Sequence, residues 1–145
     1  MKILVVDSRH NIGSWLIKLF TFSRWNHTAT WYEDQDMVFD STFATGVRCL
    51  SKAEFDHIYT RKVIREAFLP NENKALLFAL SQVGKKYDFT GLLGIVFQKR
   101  SWMDPNKWWC SELSEAQCAE GGNPAFIPEA NSILPRDSFI VLRKP

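Results

Sequence analysis

Apolar residues run unbroken through Ile3-Leu4-Val5-Val6 and stop at Asp7, so residues 2–7 read as a strand buried on both faces. Asn11-Ile12-Gly13-Ser14 then offers a helix cap, and Leu16, Leu19 and Phe20 recur at helical spacing. Residues 26–33 and 36–42 read as two strands joined across the acidic turn Glu33-Asp34-Gln35-Asp36. A third strand is predicted over 46–50. A fourth is predicted over 56–64, where His57, Ile58, Tyr59, Thr60 and Val63 are β-formers. The clearest helix follows Pro70, from about Asn73 to Val83, with Leu76, Leu77, Leu80 and Val83 inward and Gly84 as its stop. The pattern then gives a short apolar helix over 90–97, a polar loop over 98–107, and a helix over 110–119 that ends at Gly121-Gly122. Ser138 to Arg143 alternates as a closing strand. Helices partly segregated from an antiparallel sheet predict the α+β class.

Composition narrows the function classes. With no repeat, low-complexity tract or linker, the 145 residues read as one domain, 1–145, large enough for a core without staples. A formal charge of +2 is too small to argue for nucleic acid or an anionic membrane. The longest apolar stretch, Phe89 to Phe97, is broken by Thr90, Gly91 and Gly94, so no integral membrane segment is expected. Three cysteines are an odd number, and no zinc-like Cys/His spacing is present. Reduced thiols and no metal follow as the simplest expectation. The opening run is too short for a signal peptide, which makes the cytoplasm the expected place of synthesis.

Among those cysteines, Cys110 stands apart. It lies in Trp108-Trp109-Cys110-Ser111-Glu112-Leu113, where an aromatic extended segment becomes a helix. Free N–H groups and the positive end of the dipole at a helix start favour thiolate over thiol. Free cysteines are commonly small core hydrophobes, and Cys49 and Cys118 are read that way. His27 is the candidate base. If Asp34-Gln35 is the two-residue turn, Ala29 faces Asp40, and His27 shares a face with Asp40 one diagonal step away. A carboxylate there would hold one imidazole nitrogen and leave the other for the thiol. Glu33 has the same parity but sits at the tip, as a weaker orienter. Tyr87 is either an oxyanion donor beside the thiol or a ring capping the core. His10 and His57 have no identifiable partner, and Trp102, Trp108 and Trp109 line either a substrate groove or the core.

Together these segments resemble the NlpC-type cell-wall hydrolases of the circularly permuted, papain-like branch, which includes YiiX-type proteins and lecithin:retinol acyltransferase relatives. The matching stretches are Ser23-Arg24-Trp25-Asn26-His27-Thr28-Ala29, Val38-Phe39-Asp40, Gly84-Lys85-Lys86-Tyr87-Asp88-Phe89, Trp109-Cys110-Ser111-Glu112-Leu113 and Ile133-Leu134-Pro135-Arg136-Asp137. One departure stands out: Thr28 follows the histidine where the family often has a small apolar residue. The resemblance implies a papain-like fold, an antiparallel sheet packed on helices with the nucleophile at a helix N-terminus. It also implies acyl transfer by a Cys110-His27-Asp40 triad, with Tyr87 toward the oxyanion and no metal or organic cofactor.

The leading expectation is a cysteine peptidase or amidase acting on peptidoglycan stem peptides, of phage or bacterial origin, delivered to the wall by a lysis or virion route. A second is a thiol acyltransferase or lipid-ester hydrolase, with an apolar channel near Trp102 and Phe97. A third is an inert binding module that holds a partner through its Trp-rich surface. Nucleic acid ranks last as a partner, because basic residues are scattered and nearly balanced by acids.

Overall fold

Among the described residues five strands, β1 (Lys2–Val6), β2 (His27–Tyr32), β3 (Met37–Thr42), β4 (Gly46–Leu50) and β5 (Lys62–Glu66), pair into one antiparallel sheet ordered β4-β3-β2-β1-β5. Among the described residues four helices accompany them: α1 (Lys52–Ile58), α2 (Glu72–Gln82), α3 (Phe89–Val96) and α4 (Cys110–Glu120). This computed structural model describes residues 1–8, 23–96, 104 and 106–124. The expected Leu16–Phe20 helix, the channel near Phe97 and Trp102, and the Ser138–Arg143 strand lie outside the described residues.

The β2–β3 hairpin has the register that its turn dictates, with Tyr32 opposite Met37 and Ala29 opposite Asp40. Asp36 takes a positive φ of 51° in the turn, a conformation that a short polar side chain tolerates. The next hairpin pairs Thr42 with Gly46 and so sets Asp40 opposite Arg48.

Alternation along the strands divides the interior between two faces. On one, Leu4, Val6, Ala29 and Val38 pack with Phe55 of α1. On the other, Ile3, Val5, Tyr32 and Phe39 pack with Ala75 and Ala79 of α2 and Cys118 of α4. Buried polar groups tie α4 to β2 on this second face: Thr30 Oγ1 and Tyr32 OH both donate to Gln117 Oε1, at 2.8 and 3.0 Å.

Two expectations from the hydrophobic pattern are corrected. The strand predicted over 56–64 is helix α1 followed by the shorter β5. Ser51 caps α1 in a complete capping box with Glu54, and Phe55 anchors it to the sheet. That local solution overrides the β preference of His57 and Ile58, and the strand begins only at Lys62. In α2 the small residues face inward, while Leu77, Leu80 and the C-cap Val83 are exposed and Leu76 is half-buried. Alanines at 75 and 79 let α2 approach α4 more closely than a leucine face would allow.

After α2 the chain passes Gly84 and runs as an extended segment beside the sheet. Gly84 N–H donates to Val47 O at 2.9 Å, and Val47 N–H donates to Lys85 O at 2.8 Å. On the other side, Trp108 N–H donates to Lys86 O at 3.1 Å and Asp88 N–H to Trp108 O at 3.3 Å. Gly46 permits this crossing: its φ is +67°, and a Cβ there would lie 2.2 Å from Lys85 O. Residues 84–88 are thus stitched between β4 and the approach to α4, beside the start of that helix. No helix among the described residues is long and apolar enough to cross a membrane.

Candidate active site

Cys110 is the first residue of α4, and Trp109, its extended N-cap, contributes no side-chain cap. Ordinarily a Ser, Thr, Asp or Asn would occupy that cap position and satisfy a free N–H. Here Trp109 is fully buried, and its backbone N–H donates to the Glu112 carboxyl, half of a capping box. The sulfur therefore sits where N–H groups of the helix start converge.

His27 opens β2 and Asp40 lies in β3. The diagonal placement brings imidazole Nε2 to 3.0 Å from Asp40 Oδ2, with both side chains buried. Asp40 occupies Nε2, which leaves Nδ1 for sulfur, and the His27 ring is hydrogen-bonded to the Cys110 thiol. The His27 and Asp40 side chains share the α1 face of the sheet, whereas α4 packs on the opposite face. Cys110 meets His27 because both stand at the end of their elements, where the two faces come together.

Arg48, which sequence reasoning missed, locks the carboxylate. Its Nε donates to Asp40 Oδ1 at 2.7 Å and its Nη2 to Oδ2 at 3.0 Å, a two-point clamp across the β3–β4 pair. The signal was present: the Gly46 turn sets 40 opposite 48, and opposite charges there form a cross-strand pair. Tyr59, just past α1, completes the wall. Its ring lies 5.1 Å from the His27 ring and 4.8 Å from Phe55, and its hydroxyl is hydrogen-bonded to Arg48.

These neighbours set the charge states. Burial pushes the Asp40 pKa up, but hydrogen bonds and charge from His27 and Arg48 outweigh it and hold the carboxyl below its ordinary range. Burial pushes His27 down, yet the Tyr59 phenol, the Asp40 carboxylate and the Cys110 sulfur together hold it well above the ordinary histidine value. Burial also opposes ionisation of Cys110, and the His27 hydrogen bond and charge, with two hydrogen bonds from Thr28, bring its pKa below that of a free thiol. Both shifts favour the charged forms, thiolate and imidazolium, over what a free thiol and a free imidazole would show.

Tyr87, on the stitched segment, lies close enough to Cys110 to feel the sulfur's charge. Burial first, then the charges of Cys110 and Asp88, raise its pKa well above the ordinary phenol value, so it stays a neutral donor. Its ring is 6.3 Å from that of Phe43, whose side chain is 70% exposed, and Phe43 lies 5.5 Å from Phe89. Asp88 is committed to structure: it accepts from Thr90 Oγ1, Gly91 N–H and Asp104 N–H at 2.8–3.0 Å.

Glu33, the alternative orienter, is exposed at the hairpin tip and pairs with Lys2 at 2.5 Å. His57 is exposed on α1, and His10 and Trp102 lie outside the described residues. Trp108 and Trp109 are partly or wholly buried, so they serve packing more than a groove wall. Among the described residues, no group of three or more His, Cys, Asp or Glu could hold a metal ion.

The arrangement is similar to a known fold. The crystal structure of metalloprotein YiiX from Escherichia coli O157:H7, of the DUF1105 group, superimposes with a TM-score of 0.65 at 19% identity. The match covers 83% of this chain and 64% of YiiX, so the chain spans less than two thirds of that protein's length. At that identity the likeness establishes a YiiX-like α+β fold. No family model matches the sequence, and no curated protein matches it. YiiX is named a metalloprotein, whereas the described residues here offer no cluster suited to a metal.

Proposed function

We propose that this protein is a cysteine hydrolase that cleaves amide bonds by acyl transfer, with Cys110 as nucleophile, His27 as acid–base and Asp40 as orienter. One observation supports the reading above the rest. A single imidazole is held at Nε2 by a buried carboxylate and hydrogen-bonded to a thiol at the first turn of a helix. The YiiX-like fold is compatible with this chemistry.

The Cys110 thiolate attacks the carbonyl carbon, and its electron pair forms the S–C bond while the carbonyl oxygen becomes an oxyanion. The Tyr87 hydroxyl and N–H groups at the start of α4 donate to that oxyanion, each good donor contributing about 3–4 kcal/mol. His27 gives the Nδ1 proton to the departing amine and then takes one from the water that hydrolyses the thioester. Asp40, fixed by Arg48, keeps the ring oriented through both steps. The substrate class we assign is peptide amide, with peptidoglycan stem peptides as the first to assay.

Iodoacetamide labelling of Cys110 across pH tests the activation. Wild type should label below the ordinary thiol midpoint near ~8.5, and His27→Ala should move the midpoint up to that range or above it. Equal, ordinary midpoints in both proteins would sink the reading. Mass spectrometry of muropeptides incubated with wild type and Cys110→Ala then tests the substrate.

A second reading rests on the ring cluster that runs from Tyr87 through Phe43 to Phe89, with Phe43 largely exposed. An apolar acyl group would cover them, as in a thiol acyltransferase or lipid-ester hydrolase. Intact muropeptides together with a fatty acyl thioester trapped on Cys110 would favour it.

A further inference from the structure

The sulfur has more partners than the triad supplies. Successive residues of β2 point to opposite faces of the sheet, so His27 and Thr28 reach Cys110 from the two sides of the strand's start. Thr28 is fully buried, and both its backbone N–H and its side-chain hydroxyl are hydrogen-bonded to the Cys110 sulfur. Behind it, Ser114 lies one turn after Cys110 on α4 and is almost fully buried. Ser114 Oγ shares its one proton between Cys110 O at 3.1 Å and Thr28 Oγ1 at 3.4 Å. A hydroxyl that accepts from Ser114 has its own proton free to point at sulfur.

A buried thiolate needs donors, since burial disfavours its charge. His27 supplies one donor, and only while protonated. Thr28 supplies two that no titration removes. We propose that Thr28 is a positioning residue that holds the Cys110 sulfur as thiolate, with Ser114 orienting its hydroxyl. The proposal rests on Cys110 being the nucleophile. The bonds favour the resting thiolate over the neutral sulfur of the acyl-enzyme, so their loss is read in thiol ionisation.

The test is the pH profile of Cys110 alkylation by iodoacetamide in wild type, Thr28→Val and Thr28→Ser, with folding checked by thermal unfolding. Thr28→Val keeps the N–H and the branched shape and loses the hydroxyl, and Ser114 can still donate to Cys110 O. A hydrogen bond to a charged group lost in this way should raise the alkylation midpoint by about one pH unit, roughly tenfold less thiolate at a given pH. Thr28→Ser should return the midpoint to near the wild-type value. If Thr28→Val does not fold, Thr28→Ala is read in the same way. An unchanged midpoint in the hydroxyl-free variant, beside an activated wild type, overturns the role of Thr28 and leaves the nucleophile intact. Equal shifts in Thr28→Val and Thr28→Ser would assign the effect to packing and overturn it too. An ordinary thiol titration in wild type overturns both readings together.

Discussion

Cys110 and Cys118 belong to one helix, and both are buried. Their environments are otherwise opposed. Cys110, at the N-terminal end, meets an imidazole and the two Thr28 donors, and its pKa falls. Cys118, two turns on, packs against Ala75 and Ala79 in the core. Burial there, with the nearby charge of Glu115, pushes its thiol up to about 12. Burial alone therefore says nothing about reactivity: donors and position on the helix decide it.

The largest expected effect is a direct contest between these two thiols. At pH 7 the thiolate fraction of Cys118 is smaller by several powers of ten, only partly offset by the greater nucleophilicity of a more basic sulfur. Iodoacetamide should therefore modify Cys110 about 10²-fold faster, measured by peptide mass spectrometry on the native protein. Comparable rates would erase the distinction.

Next comes the support beneath Cys110. Asp40→Ala strands His27 and Arg48 without their shared carboxylate, and deletion of one partner in a buried charge network costs about 3–5 kcal/mol. Urea denaturation should report that loss near neutral pH. The folded pKa of Asp40 is depressed, so its stabilisation is present above the ordinary carboxylate range and lost as pH falls through the folded value. The gap between Asp40→Ala and wild type should accordingly narrow in acid, and a pH-independent gap would contradict the charged network.

The smallest effect concerns Glu112, one turn into the same helix. One of its carboxyl oxygens is buried with no hydrogen-bond partner among the described residues. Burial, reinforced by the charge of Asp88 and opposed by the Trp109 N–H, pushes its pKa up to about 8. A raised carboxyl favours the protonated folded state, so wild-type stability should decline between the ordinary glutamate range and about pH 8. Glu112→Gln removes the titration. It should gain on wild type as pH rises through that window, by thermal unfolding, and parallel curves would refute the assignment.

Much of this was legible in the chain. The β2–β3 register followed from a two-residue turn and strict alternation, and it put His27 and Asp40 on one face before any coordinates. The thiol at a helix start followed from Trp109-Cys110-Ser111-Glu112. Arg48 was harder to see because it needs the register of a second hairpin, set by the positive φ of Gly46. Thr28 was hidden by the alternation that revealed His27, since adjacent residues point to opposite faces and only the docked end of α4 reunites them. The inward face of α2 misled because leucine spacing signals apolarity, whereas the depth of an interhelical contact selects alanine. Helix α1 was misread because β-forming residues masked the Ser51 and Glu54 cap.

The strand order has a consequence for assembly. Strands β2, β3 and β4 form a meander of adjacent hairpins, and His27, Asp40 and Arg48 all lie within it. The contacts that bring α4 to β2 are long-range, Ser114 with Thr28 joining positions 86 residues apart. Closing so long a loop costs entropy that short hairpins avoid, so the meander can form while α4 is still undocked. The Cys110 thiol therefore gains its imidazole only when α4 docks, and on the reading proposed above its activation waits for that step.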